Sequence, residues 1–559
     1  MSDKKQSDVK QPGWLCKVWL WVKRWWLPIA ILLITSTGLA CALSIPQQVF
    51  ETPREPANDK SAPVLLAQSN LRLAFLYITG GAIAVVGLIE TFRKNNNEKL
   101  KNDQDKEKND REHLRQVRAD RRERYTKAVE QLGDEKAPIR MGGVYTLVGL
   151  VDEWLEDESI EKYEDRLKEG QVIINNLCAY IRSPFTLASH YDELSNPTPT
   201  PKGIYKDKKE KFYADKATLD SEADVRLSII KEIHDRLQGP EENTPGAWSD
   251  FEYDFSGSTF FYPIDLTNSY YAKPINFSGS TYEGEAYFSG STYQGWAYFS
   301  GSTYQALAYF TDSTYQGWAY FTDSTYQALA YFTDSTYQGE AYFTDSTYQG
   351  EAYFTDSTYQ GEAYFSRSTY QGWADFTDST YQAWAYFTDS TYREGAYFSG
   401  STYQALADFS RSTYNDVADF SGSIFYQKVY FGADGDNSSF SRFTDCAPQF
   451  YDETNRKNTL FSSPDNNFTV ENGRGYPIYR SLDGLPLGCK FLTSEQKEYL
   501  EGKLQEIDET NNKLREIKDP KEKEELLKKL QALNKELYEW RGEATTVKVE
   551  DLAAEDTES

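Results

Sequence analysis

The residues best able to do chemistry in this 559-residue chain are the serines, aspartates and tyrosines crowded between about residues 250 and 431, where an Asp-Ser pair such as Asp356-Ser357 recurs in one repeat after another. A serine acts as a nucleophile only beside a base that takes its proton, and no His or Lys recurs with these serines, so they read as corner and spacer residues. The three histidines, His113, His190 and His234, each stand alone in a charged or polar stretch and read as solvated side chains. The five cysteines, Cys16, Cys41, Cys178, Cys446 and Cys489, form no CxxC pair and no Cys/His cluster, which argues against a zinc module or a disulfide framework. No catalytic, cofactor-binding or metal-ligating residue is assigned, and no enzyme is expected. Recognition is the chemistry left. Trp296, Trp318, Trp373 and Trp384, with Leu307, Leu329, Tyr298 and Tyr320, stand among short polar residues, and rows of exposed apolar side chains are a candidate partner-binding surface.

What positions them is a tandem repeat of period 11. In register the unit is A-Y-F-T-D-S-T-Y-Q-G-x, as in Ala341–Glu351 and Ala352–Glu362. Large residues recur at alternating steps of five and six (Phe343, Tyr348, Phe354, Tyr359, Phe365). The phase holds from Phe255 to Phe431, a span of sixteen units, with Leu266 once replacing Phe. A small residue, mostly Ala or Ser, stands two positions before each large one. Steps of five and six fit neither an α-helix, nor a coiled coil, nor a flat strand. The bias reaches the composition: 42 Tyr and 31 Phe against two Met mark a repeat and not an ordinary core.

This pairing of small and large positions, with short polar residues between, resembles the pentapeptide-repeat proteins, in the variant whose units alternate five and six residues. The resemblance implies a right-handed quadrilateral β-helix at residues 248–431, with the small and large positions inward and the rest outward. Four sides make a coil of 22 residues, so the 16 units give eight coils, and at ~4.8 Å per coil the rod is roughly 40 Å long. No side can bury its own ring, but stacked coils place ring on ring in a dry column. Tyr fills the inward position on alternate sides, where Phe would avoid burying a hydroxyl; these hydroxyls are expected to reach a corner backbone group or solvent. The Tyr before each Phe faces out and should form two ladders. The variable sixth residue also faces out and carries the four tryptophans, Leu307 and Leu329, interspersed with Glu340, Glu351 and Glu362. Outward Asp312, Asp323, Asp334, Asp345, Asp356, Asp378 and Asp389 make the rod negative.

Ahead of the repeat lie two apolar stretches, residues 27–45 and 72–92, each long enough to cross ~30 Å of hydrocarbon as a helix. Lys4, Lys5, Lys10, Lys17, Lys23 and Arg24 precede the first, and Arg93, Lys94, Lys99 and Lys101 follow the second, whereas the loop between holds only Arg54, Lys60 and Arg72. That bias puts both termini in the cytoplasm (residues 1–26 at the N-terminal side) and the loop, residues 46–71, outside, with Trp25 and Trp26 at the interface. A cleaved signal peptide is the competing reading of the first stretch, because Ala40-Cys41-Ala42 looks like a small-residue cleavage site. Residues 93–124 form a charged juxtamembrane stalk.

Residues 125–240 read as a helical module with a polar insertion: Val144, Leu147, Val148 and Val151 recur at helical spacing, Gly133 and Pro138 suit a C-cap and a helix start, and a further helix spans about Gln171–Arg182. The segments ERYTKAVEQLG, IRMGGVYTL, VIINNLCAYIR and VRLSIIKEI resemble the module that precedes the repeats in bacterial membrane-associated pentapeptide-repeat proteins. Past the repeat, residues 432–492 read as an irregular cap. Thr493 and Gln496 then open a helix, and Pro520 a second, so residues 493–541 form an antiparallel hairpin or a coiled coil able to join two copies of the chain. Residues 542–559 are an acidic tail read as disordered.

The net charge of −26 disfavours direct binding of nucleic-acid phosphates and suits a basic protein partner. The leading expectation is a non-catalytic scaffold in a bacterial cell membrane, recruiting an unknown protein at the cytoplasmic face. Two alternatives stand beside it: an adhesin-like surface rod, and, because the resemblance includes soluble rods that imitate DNA, an inhibitor of a DNA-binding protein such as gyrase.

Overall fold

The computed structural model describes residues 14–50, 62–241, 243–432, 440–471, 473, 475–517 and 520–547. Lys4, Lys5 and Lys10, the middle of the expected loop (51–61) and most of the expected acidic tail (548–559) lie outside the described residues. The chain divides into a unit at Met1–Arg121 and a unit at Arg122–Ser559.

In the first unit, α1 (Trp14–Val49) and the start of α2 (Ala62–Leu132) are apolar, and both helices are long and apolar enough to cross a membrane. Gln68 Nε2 donates to the Pro46 carbonyl at 3.3 Å. Gly38 lies against Thr79, where a β-carbon would collide. Past Phe92 the polar stretch stays helical, laced by pairs such as Arg111 with Glu107 one turn away.

In the second unit, α3 (Ala137–Leu155), α4 (Tyr163–Arg182), α5 (Tyr191–Leu194) and α6 (Lys209–Leu237) bury Val144, Leu147, Val151, Ile174, Leu177, Ile229 and Ile233 in one core. Pro138 sits in the first turn of α3. Helix α4 begins at Tyr163, ahead of the apolar periodicity, because Glu164 and Asp165 complement the unpaired N–H groups of its first turn. The module closes the start of the repeat: Trp248 and Phe251 are fully buried, and Phe185 stacks on Phe261 at 5.5 Å. Beneath them Arg226 is buried without strain, since its guanidinium donates to Ile181 O (2.7 Å), Ser183 O (2.8 Å) and Glu222 Oε1 (2.8 Å). His234, expected in solvent, instead places Nε2 2.7 Å from the Thr267 carbonyl.

The repeat forms a parallel β-solenoid of about eight turns. Each strand is two residues long and pairs with the strand one coil on, as Ala308 with Ala330 and Thr314 with Thr336. Four sheets result: face I from Tyr253–Asp254 to Val429–Tyr430, face II from Thr259–Phe260 to Arg442–Phe443, face III from Ile264–Asp265 to Ala418–Asp419, and face IV from Tyr270–Tyr271 to Lys490–Phe491. Phe columns line faces I and III. Rings in adjacent coils of one column stack near 5 Å and rings of successive units meet edge to face, as Phe321 does with Phe343 (5.0 Å) and Phe332 (5.1 Å). Tyr columns line faces II and IV at nearly the same spacing, as Tyr315 on Tyr337 (4.8 Å). Each ring pair adds about 0.5–1.5 kcal/mol beyond area burial.

The small residue differs between faces for a reason. On the Phe faces it is Ala; on the Tyr faces it is Ser, whose hydroxyl ties coils together. Ser335 Oγ donates to Phe310 O (3.1 Å) and accepts from Ser313 N–H (3.2 Å), and the same pair of bonds recurs at Ser357. The serine of every Asp-Ser pair is thus a structural bridge.

One corner in each repeat unit takes a left-handed backbone. Six of these positions are Gly, including Gly290 and Gly301; most others are Asp, such as Asp312 (φ 55°) and Asp334 (φ 57°), with Arg at 367 and 411. Asp tolerates this conformation better than most side chains. Arg367 and Arg411 each pair with the Asp one coil earlier, Asp345 (2.7 Å) and Asp389 (2.8 Å).

A further expectation fails. The inward Tyr hydroxyls, from Tyr271 to Tyr414, reach neither solvent nor a corner backbone group: all are buried without a hydrogen-bond partner among the described residues. Burial pushes their phenols well above the ordinary range, as at Tyr315 and Tyr337. The fold tolerates this because an unpaired hydroxyl costs about 1–3 kcal/mol, while a buried ring of 150–250 Å² returns about 4–6. The cap carries the ring columns onward. Phe443 stacks on Tyr414 (4.8 Å), Phe450 on Phe420 (5.3 Å), Phe461 on Phe425 (5.3 Å) and Phe468 on Phe431 (6.1 Å). All four columns therefore gain one more ring, in a coil whose corners are lengthened by insertions.

Candidate functional site

Beyond the cap, α7 (Ser494–Glu516) opens with Thr493 Oγ1 accepting from Gln496 N–H (3.2 Å) and Gln496 Oε1 accepting from Thr493 N–H (2.9 Å). With α8 (Pro520–Ala544) it forms an antiparallel pair that buries Leu500, Ile507, Leu514, Leu530, Leu533 and Leu537 within the chain, together with Ile424 and Leu460 of the solenoid. The apolar stripe considered for joining two copies is thereby covered by this chain's own residues.

The pair lies back across face IV. Helix α7 follows the edge toward face I, where Tyr426 donates to Glu501 and Asn511 Nδ2 donates to Gln382 Oε1 (3.3 Å). Helix α8 meets the edge toward face III, where buried Arg541 donates to Asp378 at 2.8 Å and stacks over Tyr538 at 4.8 Å. The amides of Gln360, Gln382 and Gln404 are buried at this contact with Nε2 unpaired.

The eight candidate binding residues divide between two faces, because successive units fall on opposite sides of the four-sided coil. Trp296, Trp318 and Trp384 stand beside face I with Tyr298 and Tyr320; Leu307, Leu329 and Trp373 stand beside face III. The tryptophans are 47%, 38%, 51% and 48% exposed at 296, 318, 384 and 373, the most open large apolar side chains of the solenoid, whereas Leu307, Leu329, Tyr298 and Tyr320 are half-buried. Trp296 stacks on Trp318 at 5.4 Å and Tyr298 on Tyr320 at 5.1 Å, continuing to Tyr342 at 5.0 Å. The outward tyrosines thus form ladders.

Where the tip of α7 meets the face I edge, a cavity of about 720 Å³ opens. Trp296 and Trp318 form one wall, Leu514 and Ile517 the other, and Gly317, Gly339 and Gly361 the floor. The floor is close-packed: a β-carbon on Gly339 would come within 2.5 Å of Gly317 O and 3.0 Å of Trp318 Cδ1. The two coils after Trp318 place Glu340 and Glu362 in the same row and in the same cavity. Their carboxylates are held by the phenols two residues on, Tyr342 and Tyr364. Burial, and then the hydrogen bond to Glu340, raise the Tyr342 phenol above its ordinary range, so the tyrosine keeps its proton. Sequence reasoning found the row of varied sixth residues but not the cavity, because Leu514 and Ile517 come from a helix far along the chain.

Among the described residues no group of three or more His, Cys, Asp or Glu is placed to hold a metal ion. Cys41, Cys178, Cys446 and Cys489 form no disulfide.

A family model described as pentapeptide repeats (9 copies) matches residues 332–380, the most regular part of the solenoid. The solenoid is built of pentapeptide repeats. No curated protein and no solved structure matches it. The pentapeptide-repeat solenoid is typically non-catalytic and often serves in protein interaction.

Proposed function

We propose that this pentapeptide-repeat protein is a non-catalytic scaffold anchored in the membrane by α1 and α2, which recruits a protein partner at the cytoplasmic face through its outward tryptophans. The observation that carries the reading is the exposure of Trp296, Trp318, Trp373 and Trp384 on a surface whose other large apolar residues are half-buried or stacked. An exposed Trp set among polar neighbours has the character of an interface anchor. The two apolar helices support the anchor, and the basic residues flanking them support cytoplasmic termini. Reporter fusions placed after residue 120 test the topology: a signal from the extracytoplasmic side would overturn it. Crosslinked pull-downs from cells, comparing the intact chain with one carrying Ala at all four tryptophans, test the surface; an unchanged set of partners would remove it.

A further inference from the structure

The cavity between the tip of α7 and the face I edge combines three features that no other surface of the solenoid joins among the described residues. It offers flat indole surface at Trp296 and Trp318, two carboxylates one coil apart at Glu340 and Glu362, and an apolar wall at Leu514 and Ile517. Among the described residues no Lys or Arg lines it, and neither glutamate makes an ion pair there. Elsewhere on the solenoid, acids at comparable corners are paired where a cation is at hand, as Asp345 is with Arg367 and Asp378 with Arg541. The surrounding field has one sign: from Asp250 to Lys428 the chain holds 21 Asp and Glu against five Lys and Arg.

We propose that this cavity is an arginine-binding site, occupied by a basic segment of a protein partner that inserts a guanidinium between Trp318 and the Glu340–Glu362 pair. The inference rests on the scaffold reading and names the chemistry of its partner. A planar guanidinium stacks on indole and carries donors on more than one edge, so it can meet carboxylates about 4.8 Å apart along the coil axis. A lysine ammonium is a compact, strongly hydrated point charge and matches this shape less well. Leu514 and Ile517 would cover an apolar neighbour of the arginine, and exclusion of water there strengthens the cation–π contact.

The test is titration of the full chain in detergent micelles with a fluorescent peptide, Leu-Arg-Leu-Arg-Leu amide, alongside its lysine and citrulline counterparts. The arginine peptide is expected to bind at least ten times more tightly than the citrulline peptide and several-fold more tightly than the lysine peptide. The double variant E340Q/E362Q and, separately, W318A should each lose binding tenfold or more, whereas E351Q and W373A, which lie beside face III, should bind within twofold of the parent. Circular dichroism confirms that each variant is folded. Equal losses in E351Q and in E340Q/E362Q would show diffuse attraction to an acidic rod and overturn the site; so would equal binding of the lysine or citrulline peptide. Either result leaves the scaffold reading to its own test, because partners captured in cells through Trp373 or Trp384 do not depend on this cavity.

Discussion

Replacing Tyr293, Tyr337 and Tyr381 with Phe should stabilise the protein, although each change removes a polar atom from a residue whose ring makes every contact the column requires. The three lie on face IV, each two coils from the next, and each hydroxyl is buried without a partner. Taking an unpaired hydroxyl out of a dry interior recovers about 1–3 kcal/mol, and the void left by one oxygen returns only a few tenths. Stacking near 4.8 Å, as between Tyr337 and Tyr359, is kept by Phe. Sites about 10 Å apart add nearly independently, so the triple variant should gain about 3 kcal/mol, taking the lower end of the range at each site. Urea unfolding of the full chain in micelles, followed by near-ultraviolet circular dichroism, should move its midpoint upward with the slope unchanged. A midpoint equal to or below that of the parent, at the same slope, would show that the hydroxyls have partners and refute the reasoning. The same burial predicts that alkaline ultraviolet titration ionises outward tyrosines first and the inward ones only as the solenoid unfolds.

Three further outcomes follow from other contacts. Glu283, half-buried near Asp192, has its carboxyl raised to about 7, first by burial and then by that neighbouring charge. Since the folded value exceeds the unfolded one, the stability due to its protonated form is present below about pH 4.5 and lost as pH rises through 7; Glu283→Gln should therefore be more stable than the parent at pH 8, by about 1–2 kcal/mol after allowance for solvent screening, and equal to it at pH 4, as read from thermal midpoints. At the left-handed corner of Asp334, Gly or Asn should leave stability within about 0.5 kcal/mol, while Val should cost about 2 kcal/mol, an order that equal midpoints for Val and Gly would contradict. Arg541→Ala should loosen the α7–α8 pair by about 2 kcal/mol by leaving the partly exposed Asp378 unpaired, visible as faster proteolysis within α8 and partly reversed by adding Asp378→Asn.

How much of this was legible before the structure depended on whether a contact repeats. Phe343 and Tyr348 announce their inward direction because the same step recurs sixteen times. The bridging role of Ser335 was hidden, since its partners lie 22 and 25 residues away and its sequence neighbours only suggest a turn. Asp334 read as a surface charge, yet backbone conformation is what restricts that corner. Phe443, Phe450, Phe461 and Phe468 were lost to the eye because insertions at the corners shift their spacing while the columns beneath still hold a place for each ring. The Trp row could be read, but the cavity joins Trp318 to Leu514 and Ile517, and no local pattern connects segments so far apart in the chain.

The four-sided coil has one more consequence. Because neighbouring repeats are nearly identical, a gain or loss of a single unit would leave every inward ring matched, yet it would turn everything beyond that point to the opposite side. The helical pair would then descend on a different set of outward residues, and Trp318 would face open solvent with no wall across from it. A change of two units restores the alignment and merely alters the length. Parity, which no packing rule in the interior enforces, is written into the protein only by what its two ends must meet.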